Sequence, residues 1–186
     1  MKKQRCPWLN VKNTIYVKYH DQEWGRPVRR SKKLFELLCL EGMQAGLSWE
    51  TVLNKRENYR KLFFAFDPNK IAKMTDKQLE KRLLDPGIIR NRLKVYALRK
   101  NAQAYLDLSK KQTFTHFIWS YVNGAQIVNM PEKMSDYHST STISDQMSKD
   151  LKQLGFTFVG SKICYAFMQA AGLVDDHSKD CWRKKY

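Results

Sequence analysis

Apolar positions recur at helical spacing along most of this chain. Over residues 31–46 a serine suited to N-capping precedes Leu34, Leu37, Leu38 and Cys39, and glycines close the segment, a pattern that predicts a helix. The same period predicts helices over residues 49–64, 67–74, 76–84, 88–108, 114–122, 144–154 and 160–171. Strand patterning is thin. Phe156-Thr157-Phe158-Val159 is the best run, and it lies between Gly155 and Gly160 as a connector would. Residues 129–142, rich in Ser, Thr and Pro, read as a loop rather than a domain boundary, because the helices after them carry apolar faces that need the rest of the core. The stretch holding Trp8, Tyr16, Tyr19 and Trp24 reads as polar and loop-like. The expectation is an all-α fold, one compact helical bundle formed by residues 1–186, without internal repeats.

Size and charge narrow the picture. At 186 residues with 42% hydrophobic content the chain can bury one ordinary core. Lysine and arginine outnumber the acids 34 to 18, and a net charge of +16 attracts polyanions, so nucleic acid is the leading partner. The excess is spread along the chain, which is also how ordinary solvated basic faces look. The basic start Met1-Lys2-Lys3-Gln4-Arg5 runs into Cys6-Pro7-Trp8 with no apolar segment of a secretory signal. The longest apolar stretch, residues 163–174, is interrupted by Gln169 and falls short of the about 20 residues a membrane span needs. These features predict a cytoplasmic, soluble protein with no membrane partner, and its size suits a monomer. In that compartment four cysteines are reduced thiols or metal ligands rather than disulfides.

Cys6 and His20 lie near one end of the chain, His177 and Cys181 near the other as an H-x3-C pair. Two N/S pairs suit tetrahedral zinc, but the wide spacing matches no zinc-finger pattern. On spacing alone, surface histidines and a free thiol explain these residues slightly better. Cys39 and Cys164 fall within apolar helical patterns and read as small core residues, and His116 and His138 have no partner at ligand spacing.

Two further features bear on chemistry. Leu84-Asp85-Pro86-Gly87-Ile88-Ile89-Arg90-Asn91-Arg92 joins two helical segments through Pro-Gly, as a helix-hairpin-helix element does. A tight turn ahead of a helix aims backbone N–H groups at a phosphate, and Arg90, Arg92 and Lys94 add charge. Ile89 stands where a second glycine would complete that motif. Trp8, Tyr16, Tyr19, Trp24 and Trp49 offer faces on which an extruded base stacks, although each alone reads more simply as a core aromatic. Glu41 falls near the end of its helix, where the dipole disfavours an acid, and a carboxylate among aromatic rings accepts hydrogen bonds from a base edge; a surface salt bridge is the ordinary alternative.

Taken together these residues resemble the 3-methyladenine DNA glycosylase I family of the helix-hairpin-helix superfamily. The resemblance runs through almost the whole chain. It is carried by Arg5-Cys6-Pro7-Trp8, Tyr19-His20-Asp21 with Glu23-Trp24-Gly25, Lys33-Leu34-Phe35-Glu36, the stretch from Glu41 to Trp49, Lys55-Arg56-Glu57-Asn58-Tyr59 and Gly87-Ile88-Ile89-Arg90. Trp119-Ser120-Tyr121-Val122-Asn123, Met168-Gln169-Ala170 and Gly172-Leu173-Val174 continue it toward His177. The resemblance implies one structural Zn2+ held by Cys6, His20, His177 and Cys181, a clasp joining the two ends of the chain. It places the base-recognising carboxylate on Glu41 and the pocket aromatics on Tyr19 and Trp49, with Tyr16, Trp8 and Trp24 as further lining. It brings Gly46 and Leu47 to the DNA at the lesion, Leu47 as a wedge in the stack, and leaves Gly87, Ile88 and Arg90 to the hairpin's backbone contacts.

The activity so implied is monofunctional excision of 3-methyladenine from double-stranded alkylated DNA. No aspartate in the sequence is assignable to orienting water. Two other readings stay open on the residues: a zinc-stapled protein that binds damaged DNA without cutting it, and, more weakly, a metal-dependent hydrolase. The latter needs an open coordination position that four protein ligands do not leave.

Overall fold

The segment from Ser31 carries apolar residues around its whole circumference, and such a helix is stable only when surrounded. In the computed structural model, which describes residues 3–184, it lies at the centre. This helix, α2 (Ser31–Gln44), is buried without a break from Leu34 to Met43. Four helices pack on it: α3 (Trp49–Leu62), α6 (Arg92–Ser109), α7 (Phe114–Ser120) and α9 (Ser161–Ala170). Around them, α1 (Thr14–Gln22) leans on α3, α4 (Pro68–Ile71) and α5 (Asp76–Leu83) lean on α6, and α8 (Thr142–Gln153) lies against α9. Phe35, Phe63, Phe66, Phe114, Phe156 and Phe167 are wholly buried, each contributing roughly 2–3 kcal/mol of apolar transfer. Side-chain caps set the helix starts: Asn13, Ser48, Thr75, Asn91, Thr113 and Ser141 each accept from a backbone N–H of the first turn. No helix among the described residues is long and apolar enough to cross a membrane.

The all-α expectation holds, including the connector expected at Phe156 to Val159, with three local differences. Residues 14–22, read as loop, form α1. The helix expected from residue 88 begins at Arg92, because Ile88 to Asn91 are spent on the turn that Asn91 ends by capping. The run Phe156 to Val159 is no strand; Phe158 sits in the left-handed region at φ 57° and Thr157 is pinned to Asn101 through its N–H and carbonyl. The strand structure that does form is a two-residue parallel pair, β1 (Ile127–Val128) on β2 (Val174–Asp175), in register Ile127 with Val174. Patterning does not reveal so short a pair, yet it fixes the segment leading to His177. Beyond α3, Phe64, Ala65 and Phe66 turn left-handed in succession, a conformation costing about 1–2 kcal/mol per residue that burial of Phe63 and Phe66 offsets.

The chain after Trp24 crosses the end of α9, where Gly25 N–H donates to the Gln169 carbonyl and Val28 N–H to that of Ala171. Gly172 sits under this crossing at φ +69°, and a Cβ there would stand 2.2–2.4 Å from the backbone of Arg26 and Pro27. Gly172→Ala is therefore expected to lower stability by more than about 2 kcal/mol, read as a drop in melting temperature. An unchanged melt would show that the crossing can shift at no cost.

Candidate active site and metal centre

The local sequence of α1 explains how the site is assembled. Asn13 caps the helix, accepting from Ile15 and Tyr16 N–H at 3.0 and 3.1 Å. Tyr16, Tyr19 and His20 then follow at i, i+3 and i+4, on one face, and Tyr19 and His20 are buried. That cap and spacing were the signal available in the sequence for this helix. Tyr16 and Tyr19 point into a cavity of ≈ 270 Å³, and His20 turns to the opposite side of Trp8 and Trp24. The Tyr19 and Trp49 rings lie 5.4 Å apart, Tyr16 and Tyr19 stack at 6.3 Å, and Trp8 meets Tyr16 at 5.5 Å and Trp24 at 4.7 Å. All five rings expected from the sequence line this one cavity.

Glu41, in the last turn of α2, lines the cavity with them and is 3% exposed. Its carboxyl group has no hydrogen-bond or ion-pair partner among the described residues, and burial alone pushes its pKa up to about 8. Burial thus favours the protonated form of Glu41. A cation placed against it would draw the proton off. Burial, reinforced by Glu50 and Glu41, raises Tyr16 to about 12, and burial pushes Tyr19 well above the ordinary phenol value, so both hydroxyls keep their protons.

Beyond Trp8 and Trp24 lies the second cluster. Ligand atoms of Cys6, His20 and Cys181 all fall within 4.8 Å of one another, an arrangement able to hold a metal ion. His177 lies outside that tight group, but its ring is 5.1 Å from that of His20, and its Nε2 is buried without a hydrogen-bond partner. Each histidine spends its Nδ1 on a carboxylate: His20 on Asp21 at 2.8 Å, His177 on Asp175 at 2.7 Å. That leaves both Nε2 atoms to the cluster, the orientation a carboxylate imposes on a metal-bound imidazole. Arg5 grips Asp21 through two hydrogen bonds of 2.9 and 2.8 Å and holds its carboxyl well below the usual range. Hydrogen bonding from Cys6 lowers the Cys181 thiol below its ordinary value, and the same bond raises Cys6. Gly25 allows the close approach: at φ +72°, a Cβ on it would stand 2.7 Å from His177 Cε1. Two thiols and two imidazole nitrogens form a donor set that fits zinc.

Comparison with known proteins identifies the family. The family model for methyladenine glycosylase matches residues 8–184. The chain belongs to the methyladenine glycosylase family. It is 52% identical to the DNA-3-methyladenine glycosylase of Haemophilus influenzae over 95% of this chain and 96% of that one. It is 50% identical to DNA-3-methyladenine glycosylase 1 of Escherichia coli strain K12, over 96% and 95%. A crystal structure of 3-methyladenine DNA glycosylase I superposes with a TM-score of 0.94 at 47% identity, covering 96% of this chain and 98% of the other.

In this member of the glycosylase family the turn between α5 and α6 is held from below by α3. Asp85 Oδ1 accepts from Gly87 N–H at 2.7 Å and from Asn58 Nδ2 at 3.0 Å, Lys55 Nζ donates to the Pro86 carbonyl at 2.6 Å, and Ile89 N–H donates to the Tyr59 hydroxyl at 3.1 Å. The stretch Lys55 to Tyr59 thereby acquires a physical role as the cradle of the hairpin. Arg90 is exposed at the turn, whereas the Ile88 side chain is 2% exposed and only its backbone can face outward. Two charges assigned to the turn face elsewhere. Arg92 pairs with Glu80 at 2.7 Å, and Lys94, 5% exposed, points inward and donates to the carbonyls of Met43 at 2.8 Å and Ala45 at 2.5 Å. Lys94 thus satisfies the C-terminal carbonyls of α2 just before Gly46 and Leu47, which lie exposed at the tip of the α2–α3 turn.

The residue pattern assigns no role to the cavity's other wall. Gln44, Met134, Tyr137, His138, Ala166 and Gln169 complete it, several of them from the stretch read only as a loop. Burial of Glu41 has a measurable consequence. Below pH 4.5 both folded and unfolded chains hold its proton; as pH rises toward 8 the unfolded chain releases it and the folded one does not, so this residue costs stability progressively across that window and constantly above it. Glu41→Gln should accordingly raise the melting temperature more at pH 8.5 than at pH 5. An equal effect at both would mean the carboxyl is better solvated than its surroundings indicate.

Proposed function

We propose that this chain is a monofunctional DNA glycosylase that hydrolyses the N-glycosidic bond of 3-methyladenine in double-stranded alkylated DNA, working as a cytoplasmic monomer, the whole chain forming its one domain. The observation that carries the reading is the buried, unpartnered Glu41 carboxyl in a cage of aromatic rings, in a family whose relatives are DNA-3-methyladenine glycosylases.

Methylation at N3 makes the adenine a cation whose glycosidic bond is already weak, so the base leaves without protonation by an acid. Tyr19 and Trp49 stack on the extruded base, with Tyr16, Trp8 and Trp24 lining the rest, and Leu47 occupies the gap left in the duplex while Gly46 lets the strand come close. The N–H groups of Gly87 and Ile88, expected from the sequence to face DNA, are spent on Asp85 inside the turn, so the exposed Arg90 is left to pair with a phosphate of the flanking strand. Contact with the cationic base makes the carboxylate the favoured state of Glu41, and in a desolvated cavity that charge binds the cation far better than neutral adenine. The base departs with the electron pair of the C1′–N bond, water adds to C1′, and an abasic site remains in an unbroken strand. Among the residues lining the cavity Glu41 is the sole carboxyl group, so selectivity and electrostatics rather than a dedicated base perform the work.

Cys6, His20, His177 and Cys181 would hold zinc with all positions filled by protein, which makes the ion a staple between the chain's ends. Removing it with a strong chelator should lower the melting temperature and abolish activity only as the fold is lost. Loss of activity at an unchanged melt would assign the metal to the chemistry instead.

Chromatography of bases released from methylated DNA tests the central reading. The parent protein should release 3-methyladenine, with kcat/KM rising between pH 6 and 8 as Glu41 loses its proton. Glu41→Gln should release it on the order of a hundredfold more slowly, without that rise, while binding DNA as before. DNA binding by a folded parent without release of base would replace catalysis by damage recognition.

A further inference from the structure

The Met168-Gln169-Ala170 motif has so far been given no chemical role, yet Gln169 lines the cavity and a second, adjoining one of ≈ 380 Å³. Its amide is not free to turn. Gln169 Nε2 donates to Asp176 Oδ2 at 2.7 Å, and Asp176 is 2% exposed. The same carboxylate accepts from the Tyr165 hydroxyl at 2.9 Å and, through its other oxygen, from Asn129 Nδ2 at 2.6 Å. A carboxylate only accepts, so the Gln169 group facing it is the NH2, and the group left to the cavity wall is the carbonyl. A buried network of this kind defines the orientation of an amide that would otherwise flip.

We propose that Gln169 presents its Oε1 as a second hydrogen-bond acceptor to the excised base, and that with Glu41 it selects a purine carrying an amino group at C6 over one carrying a carbonyl. Adenine donates from that position and guanine accepts there. Two acceptors on the wall match the former, and the latter leaves both unpaired against an oxygen. A site built to accept a hydrogen bond discriminates strongly against an analogue that cannot supply it. Asp176 acts through Gln169 as a positioning residue and does not reach the base. This inference rests on the proposed excision of 3-methyladenine and assigns the specificity of that same cavity.

The test compares kcat/KM on DNA carrying 3-methyladenine with that on DNA carrying 3-methylguanine, for the parent, Gln169→Met and Gln169→Glu. Loss of folded protein cancels in the ratio of the two rates from one preparation. Gln169→Met, which fills the same space without an acceptor, should lower the 3-methyladenine rate roughly tenfold while the 3-methylguanine rate does not fall. Gln169→Glu keeps an acceptor while losing the bond to Asp176, so it should melt lower but hold the parent's ratio within about threefold. A ratio unchanged in Gln169→Met, or lost equally in both variants, overturns the assignment and leaves Gln169 a packing residue.

Titration of the free bases, followed by tryptophan fluorescence, separates the two proposals. A parent that releases no base but binds free 3-methyladenine about tenfold better than 3-methylguanine, with the preference lost in Gln169→Met, sinks the excision reading and keeps the acceptor. A parent with no preference between the free bases overturns the acceptor whatever the release assay shows.

Discussion

A buried carboxyl group without a partner is expensive, and Glu41, 3% exposed and unpaired among the described residues, is held that way at the end of the central helix α2. The fold accepts that cost because α2 is enclosed: α3, α6, α7 and α9 pack around it, and Lys94 from α6 holds its last carbonyls. In the proposed function, an enclosed helix bearing an acid beside five aromatic rings serves as a preorganised receptor for a flat cation. In the proposed reaction the desolvation cost is returned when the cationic base arrives, which is how the cavity distinguishes it from neutral adenine.

The aromatic wall ties this receptor to the metal cluster. Trp8 touches Tyr16 on the cavity side and His20 on the other, and Trp24 meets the His177 ring at 4.7 Å. The cavity's rings and the cluster's ligands therefore share α1 and the loop after it. The proposed closure of the chain's ends at Cys6, His20, His177 and Cys181 would set where Tyr16 and Tyr19 stand. The β1–β2 pair and the Asp175–His177 contact extend the same restraint to the C-terminal segment. A proposed zinc there shapes the cavity without reaching it.

Lys94 joins the other two parts. It follows the α5–α6 turn by a few residues and donates to the carbonyls preceding Gly46 and Leu47, so the hairpin and the α2–α3 tip are held at a fixed separation by one buried ammonium group. In the proposed complex the phosphate-gripping and base-displacing surfaces would act as one rigid body on the duplex.

Helical period and capping residues determined the fold class and nearly every helix, because those signals are local: a cap and a 3.6-residue repeat lie within a few positions of each other. The five aromatic residues and Glu41 were likewise legible as residue types in an ordered series of motifs, and one cavity contains them; of the four N/S residues, Cys6, His20 and Cys181 meet in one group and His177 stands beside it. What no local pattern carried was which residues meet. α1 was hidden because its inward face is aromatic and histidine rather than aliphatic, and its worth as a helix comes from packing on α3. Lys94 was read as a surface charge, since only the packing of α6 against α2 turns it toward Met43 and Ala45. His138, Tyr137 and Gln169 reach the cavity from segments more than 80 residues beyond Glu41 in the chain. Their direction depends on the β1–β2 pair and on the Asp176 network, contacts between distant segments that exist only once the chain has folded.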